Sequence, residues 1–192
     1  MKLIIASNND EKIREIKKIL EPLGYEVLSQ REANINIEIE ETGTTYEENA
    51  ILKAEAIYNI TKAAVLSDDS GLSIDYFDGA PGLYSARFKP EFSSKDTNEY
   101  IINEMRDVKD EERKAYFVCC ICFINENGEK IIVEATCEGK IAYEQKGNNG
   151  FGYDPIFYLE EYGKTMSEIS EEEKNKISHR AKALEMLKEK MI

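Results

Sequence analysis

The polar run Ser7-Asn8-Asn9-Asp10-Glu11-Lys12 follows directly on the apolar Leu3-Ile4-Ile5-Ala6. If a helix opens there, its free backbone N–H groups and partial positive charge attract phosphate. Ser7 and Asn9 add side-chain donors, and Lys12 adds a full charge one turn in. An ordinary Asn cap beside a surface lysine reads the same way, and no Gly-rich P-loop signature occurs. A second group is acidic: Glu40-Glu41 and Asp68-Asp69-Ser70-Gly71. Mg²⁺ takes carboxylate oxygens, waters and substrate phosphates. Displacement at phosphorus also needs a group that orients or deprotonates the attacking water. Adjacent acids at a strand end point different ways and can divide these jobs; a solvated acidic turn is the alternative.

The third group is Gly150-Phe151-Gly152-Tyr153-Asp154-Pro155. Glycines let the backbone approach a ligand closely. An aromatic there can stack on a base, and an Asp can read a ring N–H edge. For Tyr153, insertion into the core is the better reading. Last comes Ser178-His179-Arg180, with Lys174 upstream. If Ser178 caps a helix, His179 and Arg180 occupy its first turn, where the helix dipole disfavours cations. A locally broken rule points to function, and both side chains can donate to a carbonyl oxygen.

The elements that must carry these groups follow from pattern. Lys2–Ala6 reads as a strand and the segment after it as a helix with Ile13, Ile16 and Leu20 on one face. Gly24 closes that helix, and Tyr25–Leu28 is the next strand. Ile35, Ile37 and Ile39 alternate with polar residues, which predicts a half-buried strand. Thr45 with Glu48 is a capping box opening a helix to about Lys62, with Lys53 in its middle. Ala64–Ser67 reads as a strand that stops at Asp68. Asp78–Gly82 is a turn cluster, and a helix is expected over Thr97–Met105. Tyr116–Ile124 and Ile131–Cys137 form a hairpin around Asn125-Glu126-Asn127-Gly128, Gly139–Glu144 one more strand. Ser170 with Glu173 is a second capping box. A final amphipathic helix uses Ala181, Leu184, Leu187 and Met191. The succession is α/β.

Bulk properties bound the function. A chain of 192 residues with 42% hydrophobic and 33% charged content predicts a single domain, residues 1–192, with a real core. No run approaches the ~20 apolar residues of a membrane span. The first apolar run is too short for a signal peptide, which implies a cytoplasmic protein. A net charge of −13 argues against nucleic acid polymers but not against one nucleotide with a metal. Three of the four cysteines sit in Val118-Cys119-Cys120-Ile121-Cys122-Phe123, interrupting a β-like run. They read as small buried hydrophobes rather than as zinc ligands.

Taken in order, the segments resemble the inosine triphosphate pyrophosphatase family, which hydrolyses non-standard purine nucleoside triphosphates. The matching residues are Ser7, Asn9 and Lys12; Glu40-Glu41-Thr42-Gly43 with Glu48-Asn49-Ala50 and Lys53; Ser67-Asp68-Asp69-Ser70-Gly71-Leu72; Gly79-x-Pro81-Gly82-x-Tyr84-Ser85-Ala86-Arg87; Gly150–Pro155; and Glu173-Lys174 with Ser178-His179-Arg180. They span nearly the whole chain. The resemblance implies an α/β fold with an elongated mixed sheet flanked by helices, two lobes and a central nucleotide-binding cleft. It implies a homodimer, and Mg²⁺-dependent release of a monophosphate and pyrophosphate from ITP, dITP or XTP. By the same resemblance the Ser7–Lys12 segment (Ser7, Asn8, Asn9, Asp10, Glu11, Lys12) and Lys53 hold the triphosphate; acid suits a helix N-terminus but opposes a polyanion, so the Asp10 and Glu11 side chains are expected to face away from it. Asp69 is the general base. Glu40 and Asp69 are the metal ligands, Glu40 being preferred over Glu41 because it lies three residues before the glycine. Ser70 contacts the nucleotide near the metal. Phe151, with Gly152 and Tyr153, lies at the purine. Asp154, His179 and Arg180 read its edge, and Lys174 reaches the nucleotide. A pyrophosphatase acting on other modified nucleotides and a non-catalytic nucleotide sensor are the competing readings.

Overall fold

The computed structural model describes residues 2–191. Its strands are β1 (Lys2–Ile5), β2 (Glu26–Ser29), β3 (Val65–Ile74), β4 (Lys114–Ile124), β5 (Lys130–Ile141), β6 (Phe157–Leu159) and β7 (Lys164–Thr165). The helices are α1 (Asp10–Leu20), α2 (Tyr46–Thr61), α3 (Ser94–Glu104), α4 (Glu171–Ile177) and α5 (His179–Lys190). The strands make one seven-stranded mixed sheet in the order β2-β1-β3-β4-β5-β6-β7. β1 runs parallel to β2 and β3, whereas β6 runs antiparallel to β5 and β7. The expected α/β architecture of mixed sheet and flanking helices is therefore present. Among the described residues no helix is long and apolar enough to cross a membrane.

The chain divides into two compact units. The first comprises the chain up to Asp69, Cys119–Ala135 and the chain from Arg180 onward. Alternation along its strands sends side chains to both faces. Leu3, Ile5, Leu66, Cys119, Ile121 and Phe123 pack with Ile13, Ile16 and Leu20 of α1 and with Leu184 and Leu187 of α5. Ile4, Ala6, Val65, Cys120, Cys122 and Ile124 pack with Ala50, Ala54 and Ile57 of α2. The cysteine run is thus a strand buried on both faces, and all four cysteines are buried and outside any disulfide. The second unit comprises Ser70–Val118 and Thr136–His179. Leu72 and Ile74 of β3, Ile101 of α3, Met105 just after it, Phe117, Ile141, Phe157 and Met166 make its core.

Several expected elements differ in form. Ile35–Glu40 is not a strand. Ile35 is buried and Ile37 and Ile39 are half-buried against the core, so the alternation is real. No ladder forms, and the buried Gln30 side chain instead donates to the Ile37 carbonyl at 3.3 Å. β3 does not stop at Asp68 but continues through Asp68-Asp69-Ser70-Gly71 to Ile74. Buried acids interrupt a strand only when nothing neutralises them, and here cations from distant segments do. Gly139–Ile141 prolongs β5 rather than forming a separate strand. α3 starts three residues earlier than expected because Ser93 caps it, accepting from the Asp96 N–H. Thr45 caps α2 as expected, but Glu48 returns to the Thr44 N–H at 2.6 Å rather than to that of Thr45. The Ser170–Glu173 capping box is complete.

Candidate active site

α1 begins at Asp10 because Asn9 adopts an extended backbone and its side chain accepts from the Glu11 and Lys12 N–H groups, both at 3.0 Å. The Ser7 hydroxyl accepts the Asn9 N–H at 3.1 Å, which fixes the turn leading into the helix. Asn8 and Asn9 are exposed, and Ser7 is half-buried. Asp10 lies 3.9 Å from Arg31, and Glu11 pairs with Arg14. Both first-turn acids are therefore drawn toward arginines.

Lys12 reaches Asp68, with Nζ 2.7 Å from Oδ1. Asp68 is 1% exposed and also accepts from Arg180 Nε at 2.7 Å and from the Cys119 thiol at 3.1 Å. The other side of the Arg180 guanidinium is held by Glu15, a buried acid of α1. Burial alone would raise the Asp68 pKa, but Arg180 and Lys12 outweigh it and hold the carboxyl well below its usual range. Arg180 is correspondingly held in its charged form: burial opposes the charge, and Asp68 and Glu15 more than offset that. The thiol next to them is pushed well above its usual range by burial and by Asp68. Cys119 is thus a protonated hydrogen-bond donor, not a thiolate.

The neighbouring acid faces a different cation. Lys53, in the middle of α2, places Nζ 2.9 Å from Asp69 Oδ1, 2.6 Å from Glu41 Oε1 and 2.9 Å from the Asp68 carbonyl oxygen. Burial lowers the pKa of this ammonium, yet Asp69 and Glu41 raise it overall. Asp69 moves the other way from Asp68. Burial and the nearby Glu41 raise its pKa despite the attraction of Lys53. Its second oxygen, Oδ2, is buried and has no hydrogen-bond partner among the described residues. Glu40, the preferred metal ligand on sequence grounds, is exposed; the acid that meets Lys53 beside Asp69 is Glu41.

In the second unit, Asp154 and Lys174 form a buried pair at 2.6 Å. The same carboxylate oxygen accepts the Phe151 N–H at 2.8 Å. Gly150 permits this approach: it has φ +71°, and a Cβ there would stand 2.0 Å from Asp154 Oδ2. Lys174 Nζ lies 4.8 Å from the Phe151 ring centroid. Tyr153 is half-buried against the core and donates its hydroxyl to the Ser85 carbonyl at 2.7 Å. His179, in the first turn of α5, stacks on Phe117 with centroids 4.7 Å apart. Ser70, beyond Asp69 on β3, is half-buried.

The structure therefore brings Lys12, Asp68 and Arg180 together, Lys53 with Asp69 and Glu41, and Phe151 with Asp154 and Lys174. The sequence reading passed over Glu15 and the joining role of Asp68. An acid among the apolar positions of α1 carries no periodic signal; only its distant arginine explains it. Among the described residues no cluster of three or more His, Cys, Asp or Glu could hold a metal unaided. A partnerless carboxylate oxygen on Asp69 with acids close by suits a hard cation that takes one or two carboxylates and completes its shell with phosphate and water.

The sequence model of the Ham1 family matches residues 3–190. The chain is 47% identical over 197 residues to the dITP/XTP pyrophosphatase of Clostridium perfringens, covering 99% of this chain and 97% of that one. It is 49% identical over 185 residues to the dITP/XTP pyrophosphatase of Bacillus subtilis, covering 96% and 93%. Among solved structures it is similar to the Ham1 protein of Staphylococcus aureus, with TM-score 0.87, 40% identity and coverage of 100% and 98%. It is also similar to the nucleoside-triphosphatase / dITP/XTP pyrophosphatase of Mycobacterium abscessus, with TM-score 0.75, 37% identity and coverage of 97% and 98%.

Proposed function

The chain belongs to the Ham1 family, and on that premise we propose that it is a nucleoside triphosphate pyrophosphatase that clears non-standard purine nucleotides, ITP, dITP and XTP, from the cytoplasmic pool. Relatives of nearly the same length bear the name dITP/XTP pyrophosphatase. The observation that carries the chemistry is Asp69: buried, anchored through Oδ1 by Lys53, raised in pKa, with Oδ2 left to accept a proton.

In this reading Ser7, Asn8, Asn9 and the N-terminus of α1 donate to phosphate oxygens, and Lys12 and Lys53 offset their charge. Asp69 Oδ2 orients a water and takes its proton as the water oxygen bonds to the α-phosphorus. The bridging P–O bond to the β-phosphate breaks, and pyrophosphate leaves with the electron pair. A carboxylate whose pKa is raised is a better base near neutral pH than an ordinary one. Lys53 holds Asp69 in place by its other oxygen. Mg²⁺, when bound, supplies charge neutralisation on the phosphates. Asp69 and Glu40 would hold it: Glu41 is engaged by Lys53, whereas Glu40 is exposed on the same segment.

Phe151 offers the purine a stacking face, with Gly152 and Tyr153 shaping the loop and Asp154, Lys174 and His179 supplying polar groups at its edge. Donors there match a 6-keto oxygen. A 6-amino group leaves them unpaired, which penalises adenine. We infer a homodimer from the family resemblance. Product analysis with Mg²⁺ and separate ITP, XTP, dITP, GTP, ATP and dUTP tests the reading. Monophosphate plus pyrophosphate, fastest from ITP or XTP, is expected. Diphosphate plus phosphate would place attack at the γ-phosphorus and end the mechanism. Tight binding without turnover would make the protein a sensor.

A further inference from the structure

We propose that Asn98 is a positioning residue for the purine subsite: its side-chain amide fixes the Gly152 carbonyl and thereby the ring of Phe151. The inference rests on the reading of Phe151 as the base-stacking residue given above. Asn98 lies on α3, is 1% exposed, and donates from Nδ2 to the Gly152 oxygen at 2.9 Å.

The loop that it holds is irregular. Gly150 and Gly152 are left-handed, with φ +71° and +61°. A Cβ on Gly152 would meet nothing within 4 Å, so that glycine serves conformation rather than space. Residues 149–152 form no strand or helix. Two backbone bonds hold them, the Asn149 N–H to the Ser167 carbonyl at 3.1 Å and the Asp154 N–H to the Phe151 carbonyl at 3.2 Å, together with three side-chain bonds: Asn149 Nδ2 to the Ile169 carbonyl at 2.9 Å, the Phe151 N–H to Asp154 at 2.8 Å, and Asn98 to Gly152. The Asn98 bond acts on the Gly152–Tyr153 peptide, one residue beyond Phe151, and through that turn on the orientation of the ring.

Stability does not account for this asparagine. Its Oδ1 is buried and has no hydrogen-bond partner among the described residues. An unmade hydrogen bond on a buried acceptor costs more than a made one returns. Turning the amide over would set two oxygens against each other, so the Gly152 carbonyl dictates its orientation. A leucine of similar size would fill the position without that cost, but it would lose the donor.

The test compares Asn98→Leu, Asn98→Asp and Phe151→Ala in steady-state kinetics with ITP, and measures inhibition by inorganic pyrophosphate, which has no base to stack. For Asn98→Leu the expected result is a KM for ITP raised about ten-fold, the scale of one lost hydrogen bond to a fixed carbonyl. A smaller change in kcat and a pyrophosphate inhibition constant within about two-fold of wild type are expected alongside it. Asn98→Asp sets a carboxylate against the Gly152 carbonyl, should show the same split, and decides the matter if the leucine variant does not fold. If Phe151→Ala raises KM while neither Asn98 variant does, the positioning role is overturned and the base subsite stands. If Phe151→Ala also leaves KM unchanged, the subsite reading fails and this inference with it. Equal weakening of ITP and pyrophosphate would mean a general distortion and would likewise overturn it.

Discussion

Lys53 Nζ lies 2.9 Å from Asp69 Oδ1, so one oxygen of the strand carboxylate is anchored while the other has no partner among the described residues. That division of labour within one side chain leads to the first prediction. Asp69→Asn keeps the shape and an oxygen that Lys53 can hold, but removes the proton acceptor. Turnover of ITP should fall by at least ~10²-fold, the scale of losing a general base. Single-turnover kinetics at saturating Mg²⁺ and ITP measure it, and a wild-type rate would remove Asp69 from the chemistry.

Lys53 itself neutralises charge, so its loss should be felt according to the charge on the ligand. Lys53→Met keeps most of the buried stem and deletes the ammonium. Triphosphate binding should weaken about ten-fold or more, as expected for a lost charge-assisted hydrogen bond, whereas IMP binding should change by less than about two-fold. Calorimetric titration of the two ligands compares them. Equal losses would place Lys53 away from the phosphates.

Much of this arrangement is legible in the sequence, and the illegible part has a common cause. Caps at Asn9, Thr45 and Ser170 are local, and each was readable because the donor lies two or three residues from its acceptor. The core faces of α1 and β4 followed from spacing alone. What pattern could not supply is pairing over long separations. Asp68 reads as the end of a strand because a buried acid is costly; the strand continues because Arg180, 112 residues away, pays that cost. Likewise Ile35–Glu40 has the alternation of a strand, but whether a ladder forms depends on a neighbour, and Gln30 takes that place. The choice between Glu40 and Glu41 was open for the same reason, since only the fold shows which of them Lys53 reaches.

The Asp68 network makes a prediction about stability. Asp68→Asn preserves shape but leaves Lys12 without its counterion and removes one of the two carboxylates that hold Arg180. Removing one partner from a buried ion network should cost on the order of 3 kcal/mol, which for a chain of this size lowers Tm by roughly 6–12 °C. The pH dependence has a definite sign. The folded pKa of Asp68 lies below the unfolded value of about 3.9, so the unfolded state binds more protons in that range and stability rises with pH across it. The contribution is complete above about pH 5 and is lost as pH falls through 3.9 toward the folded pKa. Urea unfolding at pH 7 and pH 3 should therefore show the gap between wild type and Asp68→Asn narrowing in acid. A gap of constant size would mean that Asp68 is not the ionised hub of the network.

The metal is the last expectation to put to trial, and the two adjacent acids give it a sharp form. Glu41 is held by Lys53 at 2.6 Å and Glu40 is exposed beside it. If Glu40 is the second carboxylate for Mg²⁺, Glu40→Gln should raise the Mg²⁺ concentration for half-maximal turnover by at least ~10-fold, since even outer-shell partners of a metal ligand are worth that much. Glu41→Gln should shift it far less, because the side chain's partner is an ammonium. Removal of metal with a chelator should abolish turnover in every variant, and added Mg²⁺ should restore it in Glu41→Gln at near wild-type concentrations. The reverse ranking would transfer the ligand role to Glu41. It would also mean that Lys53 must release that carboxylate before the metal can bind, so that metal binding and the freeing of Lys53 for phosphate become a single event.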